Sequence, residues 1–171
     1  NLMDSVRRAE PGVAIDVQAM PPPVGGRGVA FVEFAANEGE TGELRSLLHR
    51  MGFRRTGRHI TKAVELWQQG NIRIVINTDR EGFAHSSHTV HGLNICDVGL
   101  AVEDAAATAE RARVLGASMF RQPVGPGEID IPAIRGVGGG ILHFIDDRSD
   151  LAKVWETEFR PVGDNAAAEP V

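Results

Sequence analysis

The sequence predicts an α+β domain in which two βαβββ modules pair to form an eight-stranded, half-open cup. Three observations carry this prediction. Short apolar runs bounded by Gly, Asn and Pro recur along the chain, each with the length of a strand rather than a helix. Two longer stretches, residues 43–51 and 105–115, have helical spacing or helix-favouring composition, and each comes soon after a strand-like run. The order strand–helix–strand–strand–strand then occurs twice, with copies about 65 residues apart, which marks an internal repeat.

The elements follow in order. Residues 1–12 read as the last turns of a helix stopped by Pro11-Gly12. Met20-Pro21-Pro22-Pro23 with Gly25-Gly26 reads as a linker, extended at its prolines and released at its glycines. Residues 1–27 are therefore expected to be the tail of a preceding domain plus a linker, and the domain itself to occupy 28–161. Its first module, about 28–78, opens with a buried strand at Val29-Ala30-Phe31-Val32-Glu33-Phe34-Ala35. A helix over 43–51 follows, carrying Leu44, Leu47, Leu48 and Met51 and ending before Gly52. Strands are expected at 53–57, 63–68 and 72–77, the last two joined by a Gln69-Gly70-Asn71 turn. The second module, about 92–148, repeats the order. It has a strand over 93–102, a helix over 105–115 capped by Asp104, and strands at 118–122, 131–135 and 140–146. In a C-terminal extension, residues 151–155 form a short helix or an extended strip that carries Trp155 onto the domain. Residues 162–171 read as a second linker, so the chain is expected to be a piece of a longer polypeptide.

Composition narrows the function classes. A chain of 171 residues with 42% hydrophobic and 24% charged residues can bury a core without staples. The single cysteine, Cys96, excludes an internal disulfide. A net charge of −5 argues against nucleic acid as partner, because neutralising phosphates needs concentrated Lys and Arg. No apolar run approaches the roughly 20 residues of a membrane-spanning helix, and no signal segment opens the chain. The expectation is a cytoplasmic protein with neither nucleic-acid nor membrane partner.

Three motifs carry a family resemblance. Phe31-Val32-Glu33-Phe34-Ala35-Ala36 resembles the opening strand of 4-hydroxyphenylpyruvate dioxygenase-like proteins, members of the vicinal oxygen chelate (glyoxalase/bleomycin resistance/dioxygenase) superfamily. Gly57-Arg58-His59, Lys62, Val64, Leu66 and Gln69-Gly70 with Ile72 are similar to the same family. The longest match runs Pro123-Val124-Gly125-Pro126-Gly127-Glu128-Ile129-Asp130-Ile131-Pro132-Ala133-Ile134-Arg135-Gly136. The resemblance spans roughly residues 27–161 and implies the glyoxalase fold. It also implies a tandem arrangement in which a second such domain, absent here, holds iron(II) through two His and one Glu and oxidises an aryl-pyruvate-type 2-oxo acid. The first domain, which this chain resembles, is metal-free in that arrangement, supports the second and is not catalytic alone. The preceding tail and linker resemble bacterial fusions in which a 3-dehydroshikimate dehydratase barrel comes first.

The alternative is a self-sufficient metalloenzyme or small-molecule-binding protein with a divalent metal in the cup. Alignment through the resemblance places Glu33, Asp97 and His143 where the metal-bearing domain has its triad. Strand parity groups them on one face, with Phe31 and Ala35 beside Glu33, Ile95 and Gly99 beside Asp97, and Ile141 and Ile145 beside His143. One His and two carboxylates depart from the two-His, one-carboxylate set of non-haem iron. The plainer reading is an Asp–His or Glu–His pair that satisfies itself by hydrogen bonding. An aromatic or 2-oxo acid ligand and a homodimer through exposed edges are further expectations.

Other candidates read as structural. His85, His88 and His91 recur at three-residue intervals in what reads as an exposed loop. Gly136-Val137-Gly138-Gly139-Gly140 lacks the Lys-Ser/Thr and helix of a phosphate loop and reads as a tight turn. Glu128, Asp130 and Arg135 are expected to hold a loop against the cup by charge-assisted hydrogen bonds. Cys96, beside Asp97 on a buried strand, is a poor nucleophile, because a neighbouring carboxylate raises a thiol's pKa.

Overall fold

The computed structural model describes residues 19–163. The helix tail expected at 1–12 and most of the linker expected over 162–171 lie outside the described residues.

The first module comprises β1 (Gly26–Ala35), α1 (Glu38–Arg50), β2 (Arg54–His59), β3 (Val64–Gln69) and β4 (Ile72–Asn77). A connecting helix, α2 (Gly82–His91), leads into the second module. That module has β5 (Asn94–Val102), α3 (Ala105–Val114), β6 (Met119–Phe120), β7 (Ala133–Arg135) and β8 (Ile141–Ile145). A 3₁₀ turn (Asp150–Lys153), α4 (Val154–Thr157) and β9 (Phe159–Pro161) complete the described chain. All strands join one open sheet in the order β6-β7-β8-β5-β1-β4-β3-β2-β9. Each module's first strand runs parallel to its last, β1 to β4 and β5 to β8, and the modules meet where β1 and β5 pair antiparallel.

The paired-module architecture is the one expected, with a ninth strand added to the predicted eight. The C-terminal extension crosses the concave face, burying Leu151 and Val154, and lays β9 along the edge strand β2. Gly57 permits this docking, because a Cβ there would stand 2.9 Å from that of Phe159. Regular structure starts at Gly26 rather than Val29, so Gly26, expected to end the linker, already pairs with Val102 of β5. Arg111 on α3 donates to the carbonyls of Pro21 and Pro22, which ties the proline segment down.

Two helices depart from expectation. α1 begins at Glu38, not at 43. Asn37 caps it, accepting from the Glu40 N–H at 3.0 Å while the Glu40 carboxylate accepts from the Asn37 N–H at 2.9 Å. That polar first turn has no apolar periodicity to reveal it. The histidine stretch is helical rather than a loop: α2 buries little except Ala84, so its amphipathic signal is faint. Packing supplies what the pattern lacks, since Ala84 sits against Ala35 and Cys96. His88 Nε2 lies 2.7 Å from a Glu40 carboxylate oxygen, pinning α2 to α1.

The core lies on both sides of the sheet. Leu44 and Leu48 of α1 pack on Trp67 and Ile76 on one face. Phe31, Leu66, Val75 and Phe144 meet the C-terminal extension in the larger cluster. Residues 136–140 form the expected tight turn between β7 and β8, with Gly136 donating to the Gly140 carbonyl and Gly138 and Gly139 at φ of 86° and 91°. Among the described residues no helix is long and apolar enough to cross a membrane.

Candidate functional site

The seam between β1 and β5 sets the floor of the cup. Glu33 stands directly opposite Asp97 across this antiparallel pair, and His143 on β8 is the neighbour of Gly99. The structure thus brings together all three residues singled out from the sequence. One detail of the expected parity fails. The β1–β5 register shifts between Glu33 and Phe34, so Ile95 pairs with Phe34 and is 53% exposed while Asp97 is 7% exposed. An irregularity of this kind turns a strand's alternation over, which period-two reading cannot anticipate.

His143 Nδ1 lies 2.6 Å from Asp97 Oδ2. Across the seam, Asn77 Nδ2 donates to Glu33 Oε1 at 2.8 Å. These pairs are counterparts under the internal repeat. Glu33 pairs with Val75 and Ala35 with Asn77 in the first module, as Asp97 pairs with Ile141 and Gly99 with His143 in the second. Asn77 is therefore a fourth member of the floor that strand reading missed. The repeat itself was the available signal, because shifting His143 back by about 65 residues reaches the end of β4.

The floor is electrostatically strained. Burial, then the neighbouring Asp97 charge, raises the Glu33 carboxyl to about 7 against the Asn77 hydrogen bond. His143 is also raised: burial opposes its charged form, but the Asp97 hydrogen bond and the charges of Asp97, Glu33 and Asp130 outweigh burial. Cys96 is pushed up by burial and by Glu33 and Asp97, consistent with an inert thiol. Asp97 Oδ1 is buried and has no hydrogen-bond partner among the described residues.

Aromatic side chains wall the cup. The Phe31 ring lies across Gly99, where any Cβ would overlap it, so glycine makes room for the ring. Phe31 and Phe120 approach the His143 imidazole with centroids at 6.3 and 6.4 Å. Trp155, delivered by α4, meets Phe31 edge-on at 5.5 Å. Arg135 sits over both Phe83 and Phe120, so it braces the wall through cation–π contacts rather than through a carboxylate. The cavity of this open cup measures about 170 Å³.

Residues 121–132, most of the longest family motif, close one side. Glu128 accepts from Lys62 Nζ at 2.8 Å, Thr61 Oγ1 at 2.5 Å and the Gly125 N–H at 2.9 Å. Burial alone would raise Glu128, but these donors hold it at about 2. This is the expected charge-assisted loop anchor. Below it, Glu158 accepts from the Ile129 N–H at 2.6 Å and lies 3.2 Å from His59 Nε2. The N–H groups of Thr61 and Lys62 both point to His59 Nδ1, so that nitrogen is the acceptor and Nε2–H donates to Glu158. Glu158 was not singled out from the sequence, since it lies in the extension that folds back over the cup.

The floor donors are one imidazole, two carboxyls and one amide, with the imidazole and a carboxylate turned on each other. Among the described residues no three His, Cys, Asp or Glu side chains are grouped to hold a metal ion. The set does not fit the two-histidine, one-carboxylate facial arrangement of non-haem iron(II). It can orient a histidine, present carboxyl oxygens and exclude water behind aromatic walls.

With this geometry described, known proteins offer comparisons. The family described as "Hydroxyphenylpyruvate dioxygenase, HPPD, N-terminal" matches residues 20–160. A 3-dehydroshikimate dehydratase of Pseudomonas aeruginosa is 36% identical over 157 residues, covering 91% of this chain and 25% of that protein. A 4-hydroxyphenylpyruvate dioxygenase of the same organism is 35% identical over 138 residues, covering 80% of this chain and 38% of that one. Among solved structures, a xylose isomerase-like TIM barrel/4-hydroxyphenylpyruvate dioxygenase fusion protein superposes with a TM-score of 0.78 at 33% identity. That match covers 95% of this chain and 25% of the fusion protein. The chain thus spans a quarter to about two fifths of the relatives' lengths.

Proposed function

Because the chain belongs to the hydroxyphenylpyruvate dioxygenase family, matching its N-terminal domain, we propose that it is the metal-free first domain of a longer dioxygenase-like polypeptide. In this reading it supports a second domain of the same fold, which carries iron(II) and oxidises an aryl-pyruvate-type 2-oxo acid. Catalysis belongs to that second domain, and the isolated chain is a cytoplasmic scaffold without oxygenase activity. Similarity to dehydratases and to a barrel fusion supports a parent in which a 3-dehydroshikimate dehydratase barrel precedes this domain.

The observation that carries the reading is the Asp97–His143 contact of 2.6 Å. A metal held by Glu33, Asp97 and His143, the competing reading, requires that buried hydrogen bond to open. The ion has to replace that hydrogen bond, and among the described residues no three His, Cys, Asp or Glu side chains are grouped to hold it.

The test is metal content. The domain, free of any histidine tag, is incubated with iron(II), manganese(II) or zinc(II), desalted and analysed. The expected result is no stoichiometric metal. Retention of about one equivalent, lost in His143→Ala, would overturn the scaffold reading and make the cup a metal site.

A further inference from the structure

We propose that the cup binds a small neutral aromatic alcohol, its hydroxyl hydrogen-bonded to His143 Nε2 and its ring held by the apolar lining. The inference deepens the metal-free reading above and rests on it.

The anchor is one ring nitrogen. His143 Nδ1 lies 2.6 Å from Asp97 Oδ2. A carboxylate only accepts, so Nδ1 carries the proton and the imidazole is held in one orientation. Nε2 is left without a hydrogen-bond partner among the described residues, and unlike Asp97 Oδ1 it is not closed off by burial. The imidazole lines the cavity and keeps 12% of its side-chain surface exposed, so a ligand in the cup can reach it. With Nδ1 fixed, Nε2 accepts a hydrogen bond when the ring is neutral and donates one when the ring is charged. A hydroxyl group serves both states, because it is donor and acceptor at once.

Charge and size choose the rest of the ligand. An anion would meet Asp97 at the floor and Asp79, Glu81 and Asp130 along the lining. Of the lining cations, Lys62 is committed to Glu128, and Arg121 is exposed. A cation finds the floor carboxyls spoken for. Asp97 gives Oδ2 to His143 and buries Oδ1, while Glu33 gives Oε1 to Asn77 and is held by burial well above the usual carboxylate range. A neutral ligand needs no counter-charge and loses little on leaving water. Phe31 and Phe120 stand beside the imidazole with centroids at 6.3 and 6.4 Å, and Val75, Ile131 and Ile141 extend the apolar lining. A cavity of about 170 Å³ is small for a drug-sized ligand and suits a single ring with a short substituent.

The experiment titrates the 171-residue chain with benzyl alcohol, toluene, benzylammonium and benzoate, followed by NMR at the backbone amides and the histidine ring nitrogens. Benzyl alcohol is expected to bind saturably and to move the His143 Nε2 resonance and the Gly99 amide. Toluene, which lacks the hydroxyl, should bind about tenfold more weakly. Each ion should bind at least about tenfold more weakly than the alcohol. His143→Asn keeps a donor for Asp97 but removes Nε2, and should bring the alcohol down to the affinity of toluene. The ring-nitrogen spectrum of the unaltered chain carries the test if that variant does not fold. Equal binding of toluene and the alcohol, an ion bound as tightly as the alcohol, an unmoved Nε2 resonance, or a preference for the alcohol that survives in folded His143→Asn would overturn the inference. Stoichiometric metal retention overturns the metal-free reading instead; a metal-free domain that ignores the alcohol overturns this inference alone.

Discussion

Asn77 occupies in the first module the place that His143 occupies in the second. Each lies at the same register step on its module's last strand, and each hydrogen-bonds the carboxyl of its module's first strand, Glu33 or Asp97. The cup floor is thus one motif written twice, with an amide in one copy and an imidazole in the other.

This relationship predicts that His143→Asn is better tolerated than His143→Ala. The amide can donate to Asp97 as Asn77 does to Glu33, so His143→Asn should cost about 1 kcal/mol. His143→Ala leaves both Asp97 oxygens buried without a donor and should cost about 3 kcal/mol. Urea unfolding of the variants measures both, and equal losses would show that the two pairs are not equivalent.

Glu33 predicts an unusual pH dependence. Its folded value of about 7 lies above its ordinary 4.5, so the folded state holds the proton more tightly. The associated stability is present below 4.5 and lost as pH rises through 7. At about 1.4 kcal/mol per pKa unit, the loss is of the order of 3 kcal/mol. Glu33→Gln should flatten the stability profile between pH 4.5 and 8, and an unchanged slope in that variant would contradict the assignment.

Glu128 acts in the opposite direction. Its folded value of about 2 is below its ordinary one, so its contribution is present above 4.5 and is lost as pH falls through 2. Glu128→Ala frees Lys62, Thr61 and the Gly125 amide together. Faster hydrogen exchange at Gly125 and Ile129, with little change in the β1–β5 amides, is the expected result. Uniform exchange across the domain would mean that the loop is not anchored there.

Gly99→Ala should be costly for a steric reason. The added methyl overlaps the Phe31 ring that lies across the strand, and overpacking of this kind costs about 1–3 kcal/mol. The double variant with Phe31→Leu should recover part of that loss, and strictly additive losses in a double-mutant cycle would rule out the contact as its cause.

By itself the sequence determined the repeat, nearly all the strands, and the family. Strand length, glycine punctuation and two-fold recurrence are local signals that survive without coordinates. Strand parity and the resemblance also placed Glu33, Asp97 and His143 on one surface. The tertiary structure decided what those residues do there. It turned His143 onto Asp97, and it added Asn77 through register. It set Ile95 apart from Asp97 through a register shift between paired strands. α2 became helical by packing on Ala35 and Cys96, and the extension folded back to bring Glu158 to His59 across 99 positions of sequence. Periodicity reports which way a side chain faces along its own element. Which partner it meets depends on register and docking between segments far apart in the chain, and no local pattern encodes that.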